Sequence, residues 1–197
     1  MVHCARRLMQ NDEAKINLLA RVARSSRTAS GEADKPVSIL SLCAASYGAR
    51  PNDEATVPTG FDPVAVALFE AIVEGAFLVA FADGVFDAEE RKTFERVVVT
   101  ACGGSVAAKQ IHALVADLED QLKEDGIDRR VDAIAAPVQK KEHAREILRI
   151  AALLAQTSDD VSAVEREVLA KIARATGLEK EEVEIALHDV RAAVVAG

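Results

Sequence analysis

One short pattern occurs twice in this chain: an apolar run at helical spacing, an acidic turn, then Asp or Ser followed by Glu where a second helical run opens. The first copy passes through Phe77, Phe81, Asp83, Gly84, Phe86, Asp87, Glu90, Arg91 and Phe94. The second passes through Ala152, Gln156, Ser158, Asp159, Val161, Ser162, Glu165, Arg166 and Leu169. At one constant offset Phe86 falls on Val161, Asp87 on Ser162, Glu90 on Glu165 and Arg91 on Arg166, so size, charge and helical phase repeat together. A chain written this way folds as two similar halves, each with a helix, a sharp elbow and a second helix.

The elbow has a structural meaning before any functional one. Asp87 and Ser162 each precede an apolar series at helical spacing, with a glutamate three positions on, which is the signature of a capping box. The cap oxygen accepts a free backbone N–H of the first turn, and the glutamate reaches back to the N–H of the cap. The fourth helical position is Arg91 or Arg166 rather than an apolar residue, so the hydrophobic staple gives way to an arginine stem over Phe86 or Val161. Gly84, free to take positive φ, ends the helix before the first elbow, and Asp159 in its place makes a poorer stop in the second.

Hydrophobic residues make up 50% of the 197, drawn mainly from Ala, Val, Leu and Ile, with six Phe, one Tyr and no Trp. An Ala-rich, aromatic-poor chain with no run alternating at period two reads as closely packed helices with little or no sheet. The net charge of -8 is concentrated after Val57, whereas the stretch before it holds more Lys and Arg than Asp and Glu. Such a body repels phosphate backbones, which argues against nucleic-acid binding and for cations or basic partners. Cys4, Cys43 and Cys102 form no CxxC, and no secretory signal pattern is present, so a reducing cytoplasm is expected, with Cys102 as a small buried hydrophobe. The most apolar window, 63–82, is interrupted one turn apart by Glu70 and Glu74. A charge at bilayer centre costs about 2.5–3.5 kcal/mol, so this window reads as the central helix of a bundle and no integral membrane segment is expected. At the repeat offset these glutamates match Arg145 and Arg149, which would set opposite charges face to face if the halves pack as neighbours.

Residues 1–59 differ from the rest. Segments 25–34 and 48–60 are rich in Ser, Gly, Pro, Asn, Asp and charge, while 10–24 and 36–47 carry enough apolar spacing for short helices. The expected organisation is a largely disordered leader over 1–59 with one or two helices, then one helical domain over 60–197. The domain opens at Asp62-Pro63, cap then first-turn proline. Its helices are expected at 62–82, 87–102, 106–125, 128–138, 141–157, 162–175 and 179–195. They form two pseudo-symmetric three-helix halves, with 128–138 between them. Gly103-Gly104-Ser105 reads as one helix stop followed by the next cap, and Lys140-Lys141 as a helix start.

The run from Ala82 to Arg91, with its recurrence ahead of Ala175-Thr176-Gly177-Leu178-Glu179-Lys180-Glu181-Glu182-Val183, resembles the TerB family of tellurite-resistance proteins. The resemblance spans about 61–194 and leaves the leader uncovered. It implies an all-α fold of two pseudo-symmetric halves in the cytoplasm and a link to tellurite or general chemical stress. It also implies a divalent-cation site among acidic loop residues, partners in larger stress complexes and, for many members, no defined enzymatic activity. The first acidic loop is matched by Asp83, Gly84, Asp87 and Glu90. The second departs from it, with Ser158 in place of Asp83 and Asp159 in place of the glycine, and Ser162 and Glu165 retained. That departure points to a single site or a shared patch rather than two equal sites.

A hard cation such as calcium takes roughly six to eight oxygens, several from carboxylates. Asp83, Asp87 and Glu90 from one loop, and Asp159, Asp160 and Glu165 from the other, are the candidate ligands if the fold brings the loops together. The order Asp-Gly-x-x-Asp is not that of an EF-hand, and the same residues also read simply as helix caps and solvated turn. The four histidines, His3, His112, His143 and His188, are scattered without HExxH, and Gly103-Gly104-Ser105 lacks the GxSxG frame. No catalytic residue or organic cofactor is therefore expected. Two functions remain open: a non-catalytic TerB-like stress protein offering an acidic surface to a divalent cation and to protein partners, or a metal-free protein–protein adaptor.

Overall fold

A computed structural model of the chain describes residues 2–25, 38–49, 61–84, 86–156 and 161–196, with 2–12 as backbone only. These residues form an all-α fold: α1 (Val2–Arg24), α2 (Ile39–Gly48), α3 (Pro63–Ala80), α4 (Ala88–Ala101), α5 (Ala108–Asp125), α6 (Ile127–Ala135), α7 (Lys141–Ala155), α8 (Ala163–Ala175) and α9 (Glu181–Val195). No strand occurs among the described residues. The seven helices from α3 onward match the expected series to within a few residues at each end, and α1 and α2 occupy the two apolar stretches of the leader. Residues 26–37 and 50–60 of the leader, and with them the expectation of disorder there, lie outside the described residues.

The centre is the contact of α3 with α7. Helix α3 starts where Asp62 caps it, Oδ1 accepting from Val64 N at 2.9 Å and Ala65 N at 3.3 Å, with Pro63 in the first turn. From Ala71 to Val79 every residue is buried, so the helix is covered all round, the pattern of a core helix. Among the described residues α3 is the one helix long and apolar enough to cross a membrane by length and composition; here α2, α6, α7 and α8 cover it. A Cβ at Gly75 would come within 2.9 Å of Ile147 Cγ2 on α7, so the close approach of the two helices needs the missing side chain. Ala144, Ala151 and Ala152 keep α7 equally slim on its buried side.

Helices α1 and α2 share this core. Ile16, Leu19, Ala20 and Val22 of α1, with Leu40, Cys43, Ala44 and Tyr47 of α2, are buried in one cluster with α3 to α9. Their attachment runs through two charged residues of α7. Arg149 donates from Nη1 to Val22 O at 2.9 Å and from Nη2 to Ala23 O at 2.8 Å, two carbonyls in the last turn of α1. Glu146 accepts the Leu40 N–H in the first turn of α2 at 3.2 Å, beside the Ser38 hydroxyl that caps Ser41 N. The two side chains also pair with each other at 2.8 Å. A cation thus sits at a helix C-terminus and an anion at a helix N-terminus, each where the backbone dipole favours it.

The expected facing of Glu74 and Arg149 does not occur. Glu74 pairs instead with Arg130 of α6 at 2.6 Å, and Arg130 holds Asp125 at 3.1 Å, while Arg145 pairs with Glu182 of α9 at 2.6 Å. The reason is rotational: Glu74 lies on the side of α3 that meets α6, and Arg149 on the side of α7 that meets the ends of α1 and α2. Burial pushes the Glu74 carboxyl up from its usual value, against the pull of the Arg130 guanidinium. Ser105 is not the cap of α5 either; that helix opens after Ala107, whose N–H is taken by the Gln110 side chain at 3.0 Å. Lys140 and Lys141 do stand at the start of α7.

Removing one partner of a largely buried ion pair costs about 3–5 kcal/mol. Arg149→Ala is therefore expected to lower stability on that scale in urea denaturation and to speed amide exchange in α1 ahead of α3. Exchange in α1 that stays tied to α3 in the variant would contradict the clip.

Candidate functional site

Both elbows are built as capping boxes. In the first, Asp87 Oδ1 accepts Glu89 N at 2.8 Å and Glu90 N at 2.9 Å, and Glu90 Oε2 accepts Asp87 N at 3.0 Å. In the second, Ser162 Oγ accepts Glu165 N at 3.2 Å, and Glu165 Oε2 accepts Ser162 N at 2.7 Å. Ahead of the first box, Gly84 turns the chain at φ 81, its N–H bonded to Phe81 O at 2.9 Å. The corresponding turn of the second, 157–160, lies outside the described residues.

The guanidinium groups of the matched arginines make ion pairs. Arg91 reaches Glu95 and, on α5, Glu119, both at 2.9 Å; Arg166 reaches Glu184 on α9 at 2.6 Å. Each therefore ties its helix to the next one. Phe86 packs among rings, with centroids of Phe77, Phe94 and Phe81 at 5.6, 5.9 and 6.3 Å in edge-on geometry. Such pairs add about 0.5–1.5 kcal/mol each beyond area burial, so the first elbow rests on a stiff aromatic base.

The two elbows border a single groove of about 610 Å³, a size within the roughly 300–1,000 Å³ of ligand clefts. Its floor is apolar: Val79, Phe86, Phe94 and Leu154, with Ile16 and Leu19 of α1 as one wall. Its rim is charged and polar: Asp83, Glu89 and Glu90 from the first elbow, Ser162 and Glu165 from the second, and Lys15 from α1. The Glu89 side chain is 84% exposed, and Val164, also lining the groove, is 46% exposed.

Of the candidate ligands, Asp83, Glu90 and Glu165 come together around this groove. Asp87 stands exposed at the helix start, outside the lining, with one oxygen engaged by the cap. Asp159 and Asp160 lie outside the described residues. Among the described residues no three carboxylate, imidazole or thiol groups are gathered as a metal ion requires. One oxygen each of Glu90 and Glu165 is already engaged by backbone N–H groups. The wall from α1, with Lys15, Ile16 and Leu19, escaped the sequence reading; the spacing in 10–24 marks an amphipathic helix without saying which surface it covers.

A second, smaller hollow of about 150 Å³ lies between α7, α9 and the end of α1, where Arg145 and Glu182 pair across its edge. The histidines are not brought together: His112 meets Glu95 at 3.1 Å, His188 lies beside Asp189, and burial lowers the pKa of His143 on α7; the His3 side chain is outside the described residues. Cys43 and Cys102 are free and buried, and burial pushes their thiols up to about 11 and about 12, which disfavours the thiolate form.

Comparison of the chain with protein-family models, with curated proteins and with solved structures gives no match.

Loss of a helix cap costs about 0.5–2 kcal/mol. Asp87→Ala and Ser162→Ala are each expected to lose stability on that scale in urea denaturation, whereas Glu89→Ala, at an 84% exposed side chain that caps no N–H, loses less. Equal losses from all three would show that the boxes do not hold the elbows.

Proposed function

We propose that the chain is a non-catalytic, TerB-like module of two pseudo-symmetric helical halves, acting in the cytoplasmic response to tellurite or related chemical stress by presenting its paired acidic elbows to protein partners. The observation that carries the reading is the shared groove. Elbows that recur far apart in sequence border one concave surface with an apolar floor and carboxylates on the rim. Matched capping boxes and the central contact of α3 with α7 support the two-halves description. The non-catalytic reading is favoured because Glu90 and Glu165, two of the acidic groups of the groove, are engaged in holding helix starts. The acidic balance of the chain favours basic protein surfaces over nucleic acid.

The reading without a cation has an observation of its own: the described carboxylates are not gathered into a cage. Calcium calorimetry separates the two versions. Heat at millimolar calcium that disappears in Asp83→Ala and Glu165→Ala would establish the cation, and no heat is the expected outcome for the adaptor.

The stress role is tested by growth. A strain lacking the chain is expected to be more sensitive to tellurite than its parent, with wild-type protein restoring growth and Val164→Asp restoring it poorly. A strain that grows like its parent under tellurite and other oxidising oxyanions would remove the stress assignment.

A further inference from the structure

We infer that the groove between the elbows receives a short basic amphipathic helix of a partner protein, apolar side chains on its floor and Arg or Lys against its rim. This rests on the partner-docking reading above and names the partner's chemistry.

Three observations point the same way. The apolar lining offers Phe86, which is half-buried, and Val164, which is 46% exposed, over a base of buried Val79 and Leu154. The rim around that floor is acidic on both sides, with Glu89 and Glu90 on α4 and Glu165 on α8. Glu89 extends into solvent, and one oxygen each of Glu90 and Glu165 is fixed in place by its cap, so the charges are held in position before a ligand arrives. Pre-placed charge around an apolar slot selects a helix with apolar residues on one face and cations flanking them. An Arg lying near the Phe86 ring would gain a cation–π contact as well.

The third observation is the groove's own wall. Helix α1 lays Ile16 and Leu19 into the cavity and brings Lys15 to the rim, and its Glu13 pairs with Arg96 of α4 at 2.6 Å. An amphipathic helix with apolar residues inward and a lysine at the acidic edge is thus already accepted on one side. A partner helix of the same pattern would lie along the other side, against α4 and α8. An acidic segment would meet the same floor but set its own carboxylates against those of Glu89, Glu90 and Glu165.

The test uses the full chain and fluorescein-labelled peptides in anisotropy titrations. The probes are an amphipathic helical peptide of Leu and Arg, a scrambled peptide of identical composition, and the amphipathic peptide with Glu in place of Arg. Saturable binding is expected for the first peptide, about tenfold tighter than for the scramble or the Glu peptide and weakened about tenfold by raising salt well above physiological strength. Glu89→Lys and Val164→Asp, both exposed positions in the first turns of α4 and α8, are each expected to weaken it about fivefold or more, with circular dichroism confirming the fold. Equal affinity for the scrambled peptide, preference for the Glu peptide, absence of saturable binding, or indifference to both substitutions would each overturn the inference. If the peptide fails while the chain still protects cells from tellurite, the occupant is wrong and the functional proposal stands.

Discussion

The contact between α3 and α7 is the constraint on which the rest of the structure depends. The apolar α3 and the amphipathic α7 lie this close because Gly75 has no side chain to set against Ile147, and small buried alanines keep α7 slim. With the helices packed around them they bury Phe69, Ile72, Phe77, Ile147 and Leu153 completely, and fully burying a side chain of this kind contributes about 1.5–3 kcal/mol. Widening that contact would open space beneath both elbows at once, since each elbow continues from one of these two helices.

Charge then decides where the outer helices attach. The pair of Glu146 and Arg149 bonds backbone groups at the ends of two helices, α1 and α2, and so fixes both to α7. Arg130 does similar work between α3 and α6 through Glu74. Apolar burial alone is non-directional and would tolerate α1 at several rotations. A fork of two N–H groups on two successive carbonyls fixes one of them.

The groove follows from these two levels. Because α3 and α7 meet, their ends lie near each other; because Arg149 holds the end of α1, Ile16 and Leu19 come to close one wall. The same residues that stop and start helices, Asp87 with Glu90 and Ser162 with Glu165, become the acidic edge of a concave apolar surface. A requirement of local folding thereby supplies a surface suited to recognition, and the proposed role as a partner-binding module uses nothing beyond it.

Much of the fold was legible in the sequence because its signals are local. Helical spacing, the Asp62-Pro63 start, the glycine stop at Gly84 and the two capping boxes depend on residues within a few positions of one another, and the structure reproduces them. The candidate site was legible only in part. Asp83, Glu90 and Glu165 were identifiable as acidic elbow residues, but nothing local relates them to Lys15, Ile16 or Leu19, which lie far away along the chain. Partner choice among the charges was equally hidden: the repeat offset suggested Arg149 for Glu74, and helix rotation gave it Arg130. The sequence by itself determined where helices begin, end and carry charge, since caps and periodicity act within a turn. Only the tertiary structure decided which charged faces meet and that both elbows share one groove, because those outcomes depend on the rotation and separation of helices packed at a distance in sequence.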